Sequence, residues 1–128
     1  MLLHLSDKSN EPLHGQISRQ LRALILSGEL REDESLPSIR AFARDYRVSV
    51  ITVQRAYEDL QKEDLVHTRR GKGFFVSRLS DRRRRELARL RLEESVEPIL
   101  DGALAEGLDP TEIEGLIRDA LKRKGEET

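Results

Sequence analysis

The sequence contains no cysteine and no tryptophan, and only two tyrosines and three phenylalanines stand among its 128 residues. Without cysteine there is no disulfide, no thiolate nucleophile and no Cys-ligated zinc or iron–sulfur centre. Long apolar runs are missing as well. Met1-Leu2-Leu3 stops at His4, which is neither a signal-peptide core nor a membrane span, so the reading is of a soluble, cytoplasmic protein with no membrane partner. The length suits one domain, or one small domain with a helical appendage, and is too short for a complete dinucleotide-binding enzyme. His4, His14 and His67 lack metal-ligand spacing, and no glycine-rich loop opens a helix. A catalytic reading therefore has no nucleophile, phosphate loop or metal set, and neither an enzyme nor a cofactor is expected.

Net charge is nearly absent, with 23 Lys and Arg against 24 Asp and Glu, but local charge is not. Residues 40–55 carry Arg40, Arg44, Arg47 and Arg55 against Asp45 alone, and residues 69–91 carry ten bases against Asp81 and Glu86. From Leu92 onward there are four bases and eleven acids. A basic middle and an acidic tail thus cancel in the total. Charge runs are commonly solvated helix faces, so the basic clusters need a structural context.

The pattern supplies one. Leu3 and Leu5 alternate as an edge strand would. Pro12 opens a helical pattern with Leu13, Ile17, Leu21, Leu24 and Ile25 on one face, ended by Gly28. Leu36-Pro37-Ser38 starts a shorter helix with Ile39, Phe42, Ala43 and Tyr46 inward and Ser38 as its cap. Only Arg47-Val48-Ser49 separates it from a third helix, capped by Ser49, with Val53, Ala56, Tyr57 and Leu60 inward. Two short helices joined by so tight a turn are the helix-turn-helix signature. Residues 65–70 then read as a strand, Gly71-Lys72-Gly73 as a turn, and Phe74-Phe75-Val76 as the returning strand.

The fold class is mainly α with a small β-hairpin wing: a winged helix-turn-helix domain over residues 1–78, then a two-helix tail over residues 79–128. The first tail helix starts at Asp81, and Pro98 inside it should kink or divide it. Asp109-Pro110-Thr111-Glu112 is a strong second start, and residues 125–128 read as a frayed end. Two helices enclose little core alone. Leu87, Leu90, Val96, Ile99, Leu100, Leu104, Ile113, Leu116, Ile117 and Leu121 should therefore pack against a second copy, the alternative being a fold-back onto the chain's own winged helix.

The combination of Leu36-Pro37-Ser38-Ile39-Arg40, Val48-Ser49, Thr52-Val53, Ala56-Tyr57, Leu60, Gly71-Lys72-Gly73 and Phe75-Val76 closely resembles the N-terminal domain of GntR-family bacterial transcription regulators. Pro12-Leu13, Gln16-Ile17, Gly28 and Leu30 extend the resemblance upstream, so that it covers residues 6 to 78. The short tail looks like the dimerisation region of the YtrA subfamily. The resemblance implies that Arg40 contacts DNA from the start of the second helix, that Ser49 and Thr52 lie near phosphates, that Gln54 faces bases, and that Lys72 forms the wing tip beside Gly73. Val50 and Ile51 depart from the pattern, which commonly has polar or basic residues there; apolar contact with thymine methyls is the substitute. Arg55 reaches a phosphate or pairs with Asp59, and of Arg69 and Arg70 only one faces DNA, with Arg70 preferred. The arginines at 82–85 add phosphate contacts or stay solvated, the latter being preferred.

The expected function is a homodimeric repressor on a palindromic double-stranded DNA operator. A small effector, where one acts, would bind in the tail or at the dimer interface. The competing class is a winged-helix assembly module whose exposed Val50 and Ile51 meet protein instead of DNA.

Overall fold

The computed structural model describes residues 1–127. Its elements run α1 (Leu13–Ser27), α2 (Ile39–Tyr46), α3 (Val50–Lys62), β1 (Val66–Arg69), β2 (Gly73–Val76), α4 (Asp81–Ala105) and α5 (Pro110–Glu127). Contacts divide the chain into two compact units, Met1–Arg85 and a second from Glu86 onward, so the first turn of α4 belongs with the winged helix.

The core of the first unit forms because α1 and α3 each carry an apolar stripe at helical spacing. Ile17, Leu21 and Ile25 of α1 are buried, as are Val53, Ala56, Tyr57 and Leu60 of α3, and the two helices pack directly. Burying each large aliphatic is worth about 1.5–3 kcal/mol, so this contact dominates the unit. A charged staple closes its edge. Arg22, itself buried, donates through Nε (2.9 Å) and Nη2 (2.8 Å) to the two carboxylate oxygens of Glu63.

Residues 1–11 form no strand, contrary to the Leu3–Leu5 alternation. Their backbone groups are satisfied by side chains. The Leu3 N–H donates to the Tyr46 hydroxyl, and the Gln20 amide brackets His4, accepting from its N–H (2.9 Å) and donating to its carbonyl (2.7 Å). Buried Gln16 accepts from the Ser6 N–H and donates to the carbonyls of Ser6 and Glu11. Leu3 still points inward and is buried, so the alternation reports burial of Leu3 without a sheet.

α1 ends at Gly28 in the left-handed conformation (φ 87°), as its position predicts. Ser38 caps α2 by accepting from the Ala41 N–H, and Ser49 caps α3 by accepting from the Thr52 N–H. The turn between α2 and α3 is made by Arg47, which is left-handed (φ 55°) without being glycine. The hairpin is antiparallel with Val66 opposite Val76 and Arg69 opposite Gly73, so the first strand is shorter than the expected 65–70 and the returning strand begins one residue earlier than Phe74. The polar stretch after α1 proves to be a third participant. Asp33 N–H donates to the Val76 carbonyl, Val76 N–H to the Glu34 carbonyl and Leu36 N–H to the Phe74 carbonyl, with a bridge between Ser35 and Phe75.

α4 is one helix through Pro98 and is not divided there. Pro98 is exposed, so water can serve the carbonyl that its missing N–H leaves free. Gly107 (φ 101°) terminates this stretch, with Gly107 N–H donating to the Leu104 carbonyl and Leu108 N–H to the Ala103 carbonyl. Asp109 and Glu112 form the expected reciprocal cap. α5 continues past Gly125 to Glu127, so the end is helical where fraying was expected; Thr128 lies outside the described residues. No residue of α4 or α5 is buried.

A left-handed arginine carries a steric penalty that glycine lacks. Arg47→Gly is expected to raise the unfolding free energy by about 1 kcal/mol. Urea unfolding checks this, and a loss of stability would show that the Arg47 side chain supports the turn.

Candidate nucleic-acid interface

With Val53, Ala56, Tyr57 and Leu60 turned inward, α3 presents Val50, Ile51, Gln54, Arg55 and Glu58 on its exposed side. Val50 is 47% and Ile51 69% exposed, the two large apolar side chains of this unit's helices most open to water. Gln54 is held by an Nε2 bond to Glu58 (3.1 Å), one turn further along. Ser49 and Thr52 bond to each other through their hydroxyls (2.7 Å), so Ser49 serves chiefly as helix cap.

The cations fall into two groups. Arg40, Arg55, Arg70 and Lys72 are exposed and make no ion pair among the described residues, and the Arg55–Asp59 pair is not formed. Arg44 pairs with its neighbour Asp45 (3.1 Å). At the wing tip, Arg70, Gly71 and Lys72 loop between the paired Arg69 and Gly73, with the Lys72 N–H donating to the Arg69 carbonyl (2.9 Å). Gly71 (φ 74°) and Gly73 (φ 92°) take conformations that L side chains rarely adopt. An added Cβ at either would meet nothing within 4 Å, so these glycines answer to backbone shape and leave Lys72 projecting on a narrow tip.

Arg69 is occupied elsewhere. Its guanidinium lies 4.2 Å from the Phe75 ring centroid and donates to Asp33 (2.9 Å), which also accepts from Arg78 (2.8 Å). Asp33 therefore clamps both wing arginines to the segment that borders β2. Arg70, the residue expected to face DNA, is exposed and outside this clamp. Sequence reasoning missed Asp33 because it lay in a polar loop between Glu32 and Glu34, and its arginine partners stand 36 and 45 residues further along the chain.

The Arg78 hydrogen bond holds the Asp33 carboxyl below its ordinary range, assisted by the charges of Arg78, Arg69 and His67 and opposed by partial desolvation. A carboxylate depressed in the folded state contributes stability above its unfolded pKa, and loses it as pH falls through the folded one. Asp33 is left-handed (φ 64°), which asparagine also tolerates, so Asp33→Asn removes charge while sparing the backbone. The variant is expected to be less stable than the parent at neutral pH, with the gap closing in acid. Urea unfolding at neutral and acidic pH measures it, and a gap independent of pH would deny the clamp its role.

Among the described residues no helix is long and apolar enough to cross a membrane, and no group of His, Asp and Glu could hold a metal ion. In the tail, Ile99, Leu116 and Leu121 are about two-thirds exposed, Leu90, Leu104 and Ile117 are exposed to a lesser degree, and Leu87, Val96, Leu100 and Ile113 are half-buried. Between α4 and α5, Leu100, Leu104, Pro110, Ile113, Glu114 and Ile117 line a groove of about 250 Å³.

The profile of the family described as bacterial regulatory proteins, gntR family, matches residues 13–76, which contain α1 to β2. The HTH-type transcriptional repressor YtrA of Bacillus subtilis (strain 168) is 32% identical over 76 residues, covering 59% of this chain and 58% of the repressor. The matched stretch is thus less than two thirds of that relative. A GntR family transcriptional regulator from Listeria monocytogenes shares the fold with a TM-score of 0.74 at 23% identity, covering 88% of this chain and 97% of that one. YtrA from Sulfolobus acidocaldarius, a GntR-family transcription factor, has a TM-score of 0.60 at 27% identity, over 75% of this chain and 98% of that one.

Proposed function

The chain belongs to the GntR family of bacterial regulatory proteins, and from that premise we propose that it is a sequence-specific DNA-binding transcriptional regulator, a repressor acting as a homodimer on an inverted-repeat operator. The observation that carries this reading is the set of uncommitted cations, Arg40, Arg55, Arg70 and Lys72, on the helix-turn-helix and wing of one compact unit. Exposed cations without carboxylate partners are suited to neutralising phosphates, and releasing phosphate counterions supplies much of the affinity for DNA. α3 enters the major groove. Gln54 exchanges its bond to Glu58 for a base edge, and Val50 and Ile51 lie against thymine methyls, the apolar feature of that groove. Arg40, Ser49, Thr52 and Arg55 serve the backbone, and Arg70, Lys72 and Gly73 bring the wing to phosphate or minor groove.

The tail supports the homodimer. Unit one covers its apolar stripes, whereas the leucines and isoleucines of α4 and α5 remain open, and a second copy of the same hairpin is the partner whose apolar face matches. A two-fold dimer places half-sites about one helical turn apart or a multiple of it. The groove between α4 and α5 is where a small effector in the tail would sit. The repressor YtrA of Bacillus subtilis supports the sign assigned here.

Mobility shift with an inverted repeat from the chain's own promoter tests the reading. Arg40→Ala with Gln54→Ala should weaken the specific complex by roughly ten- to several-hundred-fold, since a base contact such as that of Gln54 is worth about 1–3 kcal/mol and the phosphate contact of Arg40 adds a further few-fold. Absence of a shift even at low salt would refute DNA binding and leave Val50 and Ile51 as a protein-docking surface.

Ile117→Glu places a charge on the proposed dimer face, within the second unit. Sedimentation should show monomers, with affinity for the full palindrome reduced and affinity for a single half-site unchanged. A variant that remains dimeric would exclude this face.

A further inference from the structure

The arginines at 82–85 stand in the first turn of α4, where the positive end of the helix macrodipole favours acids over bases. Departures from a local rule of this kind concentrate at functional positions. Solvated side chains were the expectation, and Arg84 contradicts it: its side chain is 23% exposed, its guanidinium lies where a Cβ on Gly28 would come within 3.9 Å, and it pairs with Asp81. Leu26, Ser27, Asp81, Arg82, Arg84 and Arg85 together line a cavity of about 630 Å³, wholly within the first unit. Arg82 and Arg85 make no ion pair among the described residues. Three guanidiniums therefore border one concave space with a single carboxylate to balance them.

We propose that this cavity binds a small anion bearing more than one phosphate group. The space opens to solvent and is roomy enough for a short chain of phosphates. Guanidinium groups offer paired N–H donors that match phosphate oxygens; Arg82 and Arg85 are free to turn theirs on a ligand, and Arg84, already tied to Asp81, adds its charge beside them. A ligand with several charges answers three arginines better than a single chloride does. The DNA backbone is the other possible source of phosphate, and the topology favours the free ligand. The chain reaches α4 from the Val66–Val76 end of the hairpin, where Arg78 is tied to Asp33, and roughly 10 Å of strand at about 3.3 Å per residue separates that end from the Arg69–Gly73 end beside the tip.

Tripolyphosphate is the probe, titrated into the full chain by calorimetry at physiological ionic strength, with chloride as the matched control. Saturable one-to-one binding is expected, with the backbone amide resonances of Ser27, Gly28 and residues 81–85 shifting. Arg82→Gln with Arg85→Gln should weaken it at least about tenfold, because charge-assisted donors are lost, while leaving operator affinity within about twofold when no tripolyphosphate is present. Both positions tolerate glutamine, since Arg82 and Arg85 are exposed and the less exposed Arg84, which pairs with Asp81, is retained. Unsaturable binding, or shifts spread equally over Arg40 and Lys72, would overturn the site. So would a double variant that binds tripolyphosphate normally, or one whose operator affinity falls sharply, since the latter would make these arginines contacts to DNA phosphate. The titration itself uses no DNA, so it stands apart from the operator experiment.

Discussion

The buried ring of Tyr57 is the point at which α2, α3 and the wing meet, and the shape of the proposed DNA surface depends on it. The ring meets Phe42 of α2 and Phe74 of β2 edge-on, with centroids 6.1 and 5.1 Å away, and its hydroxyl donates to the Pro37 carbonyl (2.8 Å) just before α2. Burial pushes the phenol pKa upward, with Tyr46 adding to the effect, so the hydroxyl remains a donor throughout the usual pH range. With so few aromatics in the chain, the cluster of Phe42, Tyr46, Tyr57 and Phe74 sits at the junction of the helix-turn-helix and its wing. With Val53, Ala56, Tyr57 and Leu60 fixed inward, helical geometry turns Ile51, Gln54 and Arg55 away from the core, while Val50, seven residues before Tyr57, is open because it stands at the first position of α3.

The tail obeys a different constraint. Its helices carry apolar residues of the same kinds as α1 and α3 but bury none of them completely, so packing within one copy satisfies only part of the stripe. Charge follows the same division. Bases gather between residues 69 and 91 and acids from Leu92 onward, so the small net charge is a sum over two parts with opposite preferences for phosphate. An acidic tail is repelled from DNA, which would favour binding through the basic unit.

Much of this was legible because periodicity and capping are local. The stripe of α3, the caps at Ser38 and Ser49, the glycine that ends α1 and the Asp109–Glu112 start are all written within a few residues of where they act. What escaped were pairings over long separations. The Ser35–Phe75 bridge and the Asp33 clamp on Arg69 and Arg78 join residues some 36 to 45 positions apart, and no local pattern marks them. Leu3 misled for a related reason: alternation signals burial, while Gln16 and Gln20 supply the hydrogen bonds that a neighbouring strand would have supplied. Among the candidate contact residues, Arg40 was indicated by the family resemblance and Lys72 by its place between two glycines, and both are exposed. Ser49 could not be fully read, since its hydroxyl is shared between capping and its bond to Thr52.

The dependence of binding on salt measures directly whether the free cations meet phosphate. Fluorescence anisotropy on an operator duplex over a range of potassium chloride should give a linear fall of log affinity with log salt. Two copies each offering Arg40, Arg55, Arg70 and Lys72 would give a slope of roughly −7, at about −0.9 per phosphate neutralised. A slope near zero, or binding unchanged when Arg40 and Lys72 are both replaced by alanine, would contradict it.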